Sequence, residues 1–399
     1  MTAERTLARG AVLEFTPATR PFADSRPLSV GEVEIDPPRT GELLVAIEAA
    51  GICHSDLSVL TGVRPRPVPM LLGHEAAGRI VSVGPDVPGL VPGLVPGQRV
   101  AMTFMPRCGS CAGCATEGKM PCRAGTVSNG EGTLLGGGRR LARKGERIHH
   151  HLGVSGFASH AVVDARTVVP VPDDVPAPVA ALLGCAVLTG GGALLNAAPP
   201  RPGQSVAVVG LGGVGLAAVI TAAALDVERI IGIDAADAKL ESALALGADE
   251  TYTSEEAERE GVRADIVIEA AGHESAFETA FRITAAGGTT VTVGLPSPTA
   301  TARVSPLTVT AEARTVIGSY LGSAVPSRDI PRYVELWRAG KLNVEGLISD
   351  TIDLDGINEG MDALAEGRAL RQIIRFDGPA AHAARTAAAA QHTTQQHAE

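Results

Sequence analysis

The sequence predicts an α/β protein with two parts, an irregular β-rich domain and a doubly wound domain built on a parallel sheet. Up to about Pro172, short apolar runs are separated by turn residues, which is typical of an irregular β-domain. From about Ala177, strand-like runs alternate with Ala/Leu-rich helical stretches, as in βαβ units. The chain has 399 residues, enough for two hydrophobic cores.

The β-rich domain is predicted from five short apolar runs. They cover residues 11–15, 41–49, 78–83, 99–102 and 158–163. Between residues 87 and 97 a Leu-Val-Pro-Gly unit repeats. Pro and Gly at this density predict a turn-rich loop rather than the interior of a sheet.

The parallel-sheet domain is predicted from alternating strand and helix patterns. They cover residues 205–210, 213–225, 229–234, 239–246, 265–271 and 289–294. A predicted helix at 330–339 and a predicted strand at 372–376 follow; because they are too few for a third domain, we expect them to return to the first. Residues 378–399 contain no Val, Ile, Leu, Met or aromatic residue, which predicts a disordered tail.

Composition narrows the classes of partner and compartment. The formal net charge of −10 argues against nucleic acid or an anionic membrane as the main partner. The N-terminal residues have no apolar signal core, and apolar runs such as 217–225 are too short to span a bilayer. We therefore expect a cytoplasmic protein, in which clustered cysteines hold metal rather than form disulfides.

A glycine motif marks a candidate dinucleotide site. The strand-like run Ser205-Val206-Ala207-Val208-Val209 leads into Gly210-Leu211-Gly212-Gly213-Val214-Gly215. Gly210 permits a tight turn, Gly212 lets the backbone approach a pyrophosphate and Gly215 permits close packing of helix on strand. The N–H groups at the start of the helix would bind the phosphates. A glycine-rich turn that binds nothing is the alternative.

Asp234 ends the next predicted strand. Its separation along the chain from the glycine motif is about that expected of a ribose-binding acid. Its carboxylate would accept hydrogen bonds from the ribose hydroxyls and repel a 2′-phosphate. The following Ala235 and Ala236 provide no arginine for such a phosphate. The sequence therefore favours NAD over NADP.

Two of the six cysteines belong to a candidate catalytic zinc site. Cys53, His74 and Cys185 offer two thiolates and an imidazole, the soft donor set that zinc prefers, with one coordination position open. Glu75, next to His74, is the candidate fourth ligand. Buried structural roles are the ordinary alternative for any one of these side chains, but their combination with a dinucleotide motif favours the metal site.

Two polar residues near Cys53 complete this predicted site. Asp56 is placed to hold the His74 ring and fix its tautomer. Ser55 would put a hydroxyl near a metal-bound oxygen and relay its proton.

The other four cysteines form a compact C-x2-C-x2-C-x7-C pattern: Cys108, Cys111, Cys114 and Cys122. Four thiolates leave no open position on zinc, so the pattern predicts a structural site. An iron–sulfur cluster is the alternative, but its bacterial pattern has proline after the last cysteine, whereas Pro121 precedes Cys122 here.

These motifs together resemble the zinc-dependent medium-chain alcohol dehydrogenases, and within them the ethanol-oxidising and glutathione-dependent formaldehyde-oxidising branches, over residues 11–376. The resemblance implies a GroES-like catalytic domain at residues 1–186 and 325–377, interrupted by a Rossmann coenzyme domain at residues 187–324. It also implies two zinc ions per chain, with the two ligand sets above, NAD as coenzyme and a homodimer or homotetramer.

The resemblance also assigns roles to further residues. His54 and Arg371 correspond to basic residues that contact the coenzyme pyrophosphate, and Lys239 to one beside the adenosine ribose. Phe104 and Leu295 correspond to positions that line the substrate pocket or contact coenzyme.

The chain departs from the family at three places. Ser58 stands where many members have a histidine in the proton relay. Thr126 and Arg64 stand near where the formaldehyde-oxidising branch has glutathione-binding charges of other kinds, and the repeat at 87–97 is an insertion. The histidine-rich segment 144–153 resembles a loop of these branches and is predicted to be a surface loop.

We therefore expect reversible oxidation of a primary or secondary alcohol to an aldehyde or ketone with NAD, with Ser55 accepting the alcohol proton and passing it towards His54. One alternative is a dehydrogenase acting on formaldehyde bound to a cofactor thiol. Another is a coenzyme-binding regulatory protein without turnover.

Overall fold

The computed structural model describes residues 4–376, which fold around three β-sheets. The tail at 378–399, for which disorder is predicted, lies outside this range. Two of the sheets belong to a β-rich unit, and the third is a parallel sheet. The predicted α/β class is confirmed.

The β-rich unit begins with ten strands and four short helices. The strands are β1 (Thr6–Leu13), β2 (Leu28–Ile35), β3 (Glu42–Gly51), β4 (Met70–Leu71), β5 (Glu75–Val83), β6 (Arg99–Met102), β7 (Leu141–Arg143), β8 (Glu146–His150), β9 (His160–Asp164) and β10 (Val168–Pro170). The helices are α1 (Phe22–Ser25), α2 (His54–Leu60), α3 (Val87–Leu90) and α4 (Arg123–Glu131). Strands β1, β2, β7, β8 and β4 close a small barrel. The repeat at 87–97 forms α3 followed by turns, outside either sheet.

A continuous helix spanning Ala177–Ala197 connects the two units. It contains α5 (Ala177–Leu182), a π-helical segment (Leu183–Val187), α6 (Leu188–Gly192) and a second π-helical segment (Ala193–Ala197). Among the described residues it is the one helix long and apolar enough to cross a membrane, and 89% of its most apolar window is buried inside the protein. The expectation that every apolar run is too short was therefore wrong, and core packing accounts for this one. The domain boundary predicted at 186/187 falls within this helix.

The second unit is a six-stranded parallel sheet with helices between its strands. The strands are β11 (Ser205–Val209), β12 (Arg229–Ile233), β13 (Glu250–Tyr252), β14 (Ala264–Glu269), β15 (Thr284–Thr292) and β16 (Thr315–Gly318). The helices are α7 (Gly213–Ala224), α8 (Asp237–Ala245), α9 (Ser254–Arg259), α10 (Glu274–Ile283) and α11 (Pro306–Ala311). The spatial order is β13-β12-β11-β14-β15-β16. The order reverses beside β11, and such switch points are where doubly wound sheets bind ligands.

Both faces of this sheet are buried, as its apolar strands require. Val206 and Val208 of β11 pack in one core with Leu216 of α7, while Ala207 and Val209 point into the core on the opposite face. Burial of each of the branched side chains contributes about 1.5–3 kcal/mol. The sheet therefore holds the glycine-rich turn after β11 on a rigid base.

The chain then returns to the β-rich unit, as the sequence predicted. The remaining elements are α12 (Pro326–Arg338), β17 (Asp350–Ile352), α13 (Ile357–Ala365) and β18 (Gln372–Arg375). Strand β18 pairs antiparallel with β3, with Ile373 opposite Gly51. It completes a seven-stranded sheet in the order β10-β6-β5-β3-β18-β17, with β9 also on β3. Short 3-10 turns occur at Cys114–Thr116, Ala165–Thr167, Tyr320–Ser323, Glu345–Leu347 and Leu354–Gly356.

Candidate active site

Three separate elements bring Cys53, His74 and Cys185 together. Cys53 immediately precedes α2, His74 precedes β5, and Cys185 lies in the π-helical segment after α5. Their ligand atoms and a Glu75 carboxylate oxygen all lie within 4.8 Å of one another. All four side chains are buried, between 0% and 5% exposed. The structure thus assembles the four residues that the sequence proposed.

Close backbone packing brings Cys185 into this cluster. A Cβ atom at the neighbouring Gly184 would lie 1.8 Å from the carbonyl oxygen of Met102 on β6. Only glycine allows the helix to approach the strand so closely. The glycine at 184 therefore sets the position of the thiol at 185.

Asp56 fixes the orientation of His74. Its Oδ1 lies 3.1 Å from His74 Nδ1, and its Oδ2 accepts a hydrogen bond of 3.1 Å from the backbone N–H of Cys53. This contact occupies Nδ1 and leaves the other ring nitrogen for the thiols, the usual arrangement for a metal-binding histidine. Burial opposes ionisation of Asp56, but His74 and His151 outweigh it and lower its pKa to about 2.

Folding shifts the pKa values of the Cys53 and Cys185 thiols in opposite directions. A hydrogen bond from the Cys185 thiol, together with the charges of Arg371 and His74, holds the pKa of Cys53 well below its ordinary value despite burial. The same hydrogen bond and burial raise the pKa of Cys185 well above its ordinary value. Of the two thiols, that of Cys53 therefore loses its proton more readily.

Glu75 is a buried carboxylate with an incomplete set of partners. Arg371 Nη1 lies 3.2 Å from Oε2, yet neither carboxylate oxygen accepts a hydrogen bond from the described residues. Burial raises the pKa of Glu75 to about 7, although the Arg371 charge opposes the shift. Two thiols, an imidazole and an unsatisfied carboxylate facing one point form a donor set that fits zinc.

The four remaining cysteines form a second cluster. Their sulfur atoms also lie within 4.8 Å of one another; they are Cys108, Cys111, Cys114 and Cys122. Backbone N–H groups point at the sulfurs, for example Gly125 N at 3.4 Å from the Sγ of the last cysteine. Donors of this kind, from Cys114 and Arg123, lower the pKa of Cys111 to about 6. Thiolates stabilised in a short loop, with no open position, fit a structural zinc ion.

The glycine motif forms the turn between β11 and α7. Gly210 has φ +92°, and a Cβ at Gly215 would lie 1.8 Å from the Gly210 carbonyl oxygen. A Cβ at Gly212 would meet no atom within 4 Å, so this glycine faces open space, where a phosphate could approach the backbone. The turn itself therefore requires Gly210 and Gly215, whereas Gly212 leaves an opening above it.

Asp234 lies beside this turn at the end of β12. Its Oδ2 accepts a hydrogen bond of 2.8 Å from the backbone N–H of Leu211 and lies 3.6 Å from Lys239 Nζ. Its Oδ1 accepts from the backbone N–H of Ala236 at 3.1 Å. The carboxylate is thus held at the edge of the cleft beside the glycine-rich turn.

A cleft of about 530 Å³ joins the cysteine–histidine cluster to the glycine-rich turn. Its walls include the following predicted residues: Cys53, His54, Ser55, Phe104, Cys185, Gly210, Gly212, Gly213, Val214, Asp234, Lys239, Leu295 and Arg371. Gly215, Asp56, His74 and Glu75 lie behind the wall. The cleft therefore connects both predicted sites in one continuous space.

Arg371 lies between the two halves of the cleft. Its Nη1 donates to the Ile52 carbonyl at 3.0 Å, and a Cβ at Gly213 would lie 2.2 Å from its Nη2. Its Nε has no partner among residues 4–376. A buried guanidinium against the glycine-rich turn can bind a pyrophosphate oxygen.

Three residues of this region were not predicted from the sequence. Thr189 and Tyr320 line the cleft, and the Tyr320 ring packs edge-on against Phe104 with centroids 5.7 Å apart. The third, His151, has its Nδ1 3.2 Å from Asp56 Oδ1. Sequence spacing gave no signal for the first two, because the fold brings them in from distant segments.

The predicted surface loop at 144–153 was wrong. Residues 146–150 form β8, which closes the small barrel, and His150 and His151 are 0% and 1% exposed. A hairpin signal was present: Lys144 and Gly145 form a turn with positive φ at both positions, between β7 and β8. Burial lowers the pKa of His150 to about 3, so its ring is neutral and accepts a hydrogen bond from Arg140 N.

Known proteins share both parts of this arrangement. The family profile of the alcohol dehydrogenase GroES-like domain matches residues 39–173, and that of the zinc-binding dehydrogenase matches residues 213–339. "Alcohol dehydrogenase 1" of Pisum sativum is 33% identical over 364 residues, covering 88% of this chain and 94% of that protein.

Two solved structures are similar over their whole length. An alcohol dehydrogenase zinc-binding domain protein from Burkholderia ambifaria has a TM-score of 0.86 at 30% identity, covering 94% of this chain and 100% of that chain. Benzyl alcohol dehydrogenase from Acinetobacter calcoaceticus has a TM-score of 0.84 at 27% identity, covering 93% and 100%.

Proposed function

Because the chain belongs to the zinc-dependent medium-chain alcohol dehydrogenase family, with its GroES-like and Rossmann domains, we propose that it transfers hydride reversibly between a primary or secondary alcohol and NAD. One observation carries the proposal. The same cleft reaches the Cys53–His74–Cys185 set at one end and the glycine-rich turn with Asp234 at the other.

The chain's own residues would divide the chemistry between them. Zinc held by Cys53, His74 and Cys185 would act as a Lewis acid on the substrate oxygen, and NAD would supply the redox chemistry. Ser55, in the cleft wall next to Cys53, is the residue proposed to accept the alcohol proton. Asp56 orients His74, and Glu75, whose carboxylate faces the same point, is the proposed exchangeable fourth ligand.

The proton route beyond Ser55 is proposed to pass through His54. This side chain also lines the cleft. Ser58, at the position where many relatives have a relay histidine, donates its hydroxyl to the His54 carbonyl at 2.9 Å. A hydroxyl engaged with the backbone is poorly placed to replace an imidazole as a base, which leaves His54 as the exit.

NAD rather than NADP is the proposed coenzyme. The Asp234 carboxylate would face the ribose hydroxyls, and a 2′-phosphate there would meet a negative charge. The proposed contacts with the rest of the coenzyme come from Gly212, Gly213 and Val214 on the pyrophosphate with Arg371, and from Lys239 on the ribose.

A homodimer or homotetramer is proposed from the edge of the parallel sheet. Strand β16 is the outer strand, and nearby side chains Val316 and Leu307 are 42% and 76% exposed. An exposed apolar sheet edge is a site for pairing with another chain. Light scattering of the purified protein tests this; a monomer would contradict it.

A panel of alcohols tests the function. The zinc-loaded protein is assayed for NADH formation with primary and secondary alcohols, with NADP in place of NAD, and with formaldehyde in the presence and absence of thiols. We expect turnover of alcohols with NAD and without thiol. A strict thiol requirement would instead establish the formaldehyde-adduct reaction, and tight NAD binding without turnover would establish a regulatory protein.

A further inference from the structure

The substrate end of the cleft can be traced outward from the metal-ligand set by ring contacts. Phe104 packs edge-on against His74, with ring centroids 5.7 Å apart. Tyr320 in turn packs edge-on against Phe104, again with centroids 5.7 Å apart. A substrate whose oxygen reaches the donor set therefore extends past these two rings towards the mouth of the cleft.

A guanidinium lies near the Tyr320 ring, close enough for the two side chains to interact electrostatically. Arg64 lines the cleft, and its Nη2 donates to the carbonyl oxygens of Leu295 at 2.6 Å and Pro296 at 3.3 Å. These two carbonyls belong to the segment after β15, so they fix the guanidinium across the opening between the two units. Its Nη1 and Nε make no hydrogen bond with the rest of the described chain and remain as donors.

The positive charge there has no acidic partner. Arg66 stands nearby, with its Nη1 donating to the Asn129 carbonyl at 3.0 Å. Within residues 4–376 neither arginine forms an ion pair, and Asp234, at the ribose end, is the one carboxylate in the cleft wall. Burial lowers the pKa of Arg64, Tyr320 opposes this shift and the charge of Arg66 adds to it, and the guanidinium stays protonated.

A half-buried cation without a carboxylate partner is costly to desolvate, and an anion bound beside it would offset that cost. A planar guanidinium with two free donors matches a carboxylate well. The apolar rings between Arg64 and the metal-ligand set match a hydrocarbon spacer. The Arg64 charge and the aromatic wall of the cleft thus fit a substrate with an alcohol at one end and an anion at the other.

We propose that Arg64 binds a carboxylate at the end of the substrate remote from its hydroxyl, so that the substrates are hydroxy acids with an aromatic or alkyl spacer and the corresponding aldehyde acids. The proposal rests on the function proposed above and names its substrate class.

Matched substrate pairs test it on the zinc-loaded enzyme with NAD. Para-(hydroxymethyl)benzoate is compared with its neutral carboxamide, and ω-hydroxyalkanoates of increasing length with their amides. The measured quantity is the ratio of kcat/KM for the acid to that for the amide. We expect a ratio above about tenfold for the best pair, as a charge-assisted hydrogen bond provides. We also expect the ratio to fall as ionic strength rises.

Three variants test whether Arg64 causes the preference for the acid over the amide. Arg64→Gln should bring the ratio close to one, and Arg64→Lys should leave an intermediate ratio because it keeps the charge but not the planar fork. Arg201→Gln removes an equal charge from an exposed turn away from the cleft and should keep the ratio of the wild type.

The outcomes are distinct. Turnover of neutral alcohols with no preference for any acid, or an unchanged ratio in Arg64→Gln, would overturn the carboxylate site and leave the alcohol dehydrogenase function standing. Failure to oxidise any alcohol would contradict the function itself and the carboxylate site with it.

Discussion

Asp56 Oδ1 lies 3.1 Å from His74 Nδ1, with both side chains buried from solvent. The same oxygen lies 3.2 Å from His151 Nδ1 and accepts from Gly73 N at 3.3 Å. One carboxylate therefore contacts the ring of a proposed metal ligand and the loop before β5, and it lies beside a second buried imidazole. This shared carboxylate makes the metal site depend on residues that do not touch the metal.

Asp56→Asn should weaken zinc binding at the proposed catalytic site by about 10–100-fold, because the carboxylate orients His74 and raises its basicity. Competition with a chromogenic chelator measures this affinity. The four-cysteine site, which Asp56 does not contact, is the internal standard. Equal retention of both zinc ions in the variant would contradict an orienting role.

Asp234→Ala should shift coenzyme preference. Loss of the ribose hydrogen bonds should raise KM for NAD by about 10–100-fold, and loss of the negative charge should relieve the rejection of NADP. The ratio of kcat/KM for the two coenzymes is measured. Asp237→Ala, which removes an exposed carboxylate at the start of α8, is the control. An unchanged ratio in Asp234→Ala would show that another residue selects the coenzyme.

Gly184→Ala should disturb the metal site through the backbone. Its Cβ would lie 1.8 Å from the Met102 carbonyl oxygen, so the helix must move and carry Cys185 with it. We expect a loss of about 1–3 kcal/mol in the free energy of unfolding by urea, together with weaker zinc retention. Gly89→Ala, where a Cβ would meet nothing within 4 Å, should be close to neutral. A stable, fully metallated Gly184→Ala would contradict the packing argument.

The contact of Arg229 with Glu250 should make the parallel sheet sensitive to acid. Hydrogen bonds from Arg229, at 2.9 Å, and from Tyr252 lower the pKa of Glu250 from 4.5 to about 2. A pKa lowered by folding stabilises the protein above the unfolded value, and this contribution is lost as the pH falls towards 2. Because the pair is partly exposed, its contribution is about 0.2–1 kcal/mol.

Glu250→Gln should therefore lower Tm at pH near 7 and lower it by less near pH 3, since the contribution vanishes only as the pH falls through about 2. Thermal unfolding of the variant and the wild type at both pH values measures the difference. High salt should reduce the effect at neutral pH. A Tm difference that grows as the pH falls would have the wrong sign and contradict this role of the pair.

Local signals in the sequence predicted the parts of the structure that depend on them. The strand at 205–209 and the helix opening at Gly213 follow from apolar runs and glycine punctuation, and their positions agree with β11 and α7. The two cysteine sets were predicted from donor chemistry and spacing, and the structure brings each set together. The return of the last strand to the first sheet followed from counting elements.

Long-range packing determines what the sequence did not predict. Tyr320 reaches the cleft because residues 320–323 fold into a tight turn against α6, with positive φ at Leu321 and Gly322. His151 is buried because β8 closes a barrel whose other strands are distant in the chain. No periodicity in these short segments encodes either contact.

Catalysis is proposed to need the zinc ion that the Cys53–His74–Cys185 set would hold. Cys53→Ser tests this by zinc content per chain together with NADH formation from alcohol. The wild type should contain two zinc ions, and the variant should keep only the one in the four-cysteine site. Turnover should fall by at least about a thousandfold, because Lewis-acid polarisation contributes several kcal/mol to lowering the barrier. Undiminished turnover in Cys53→Ser would contradict the proposed role of this metal site.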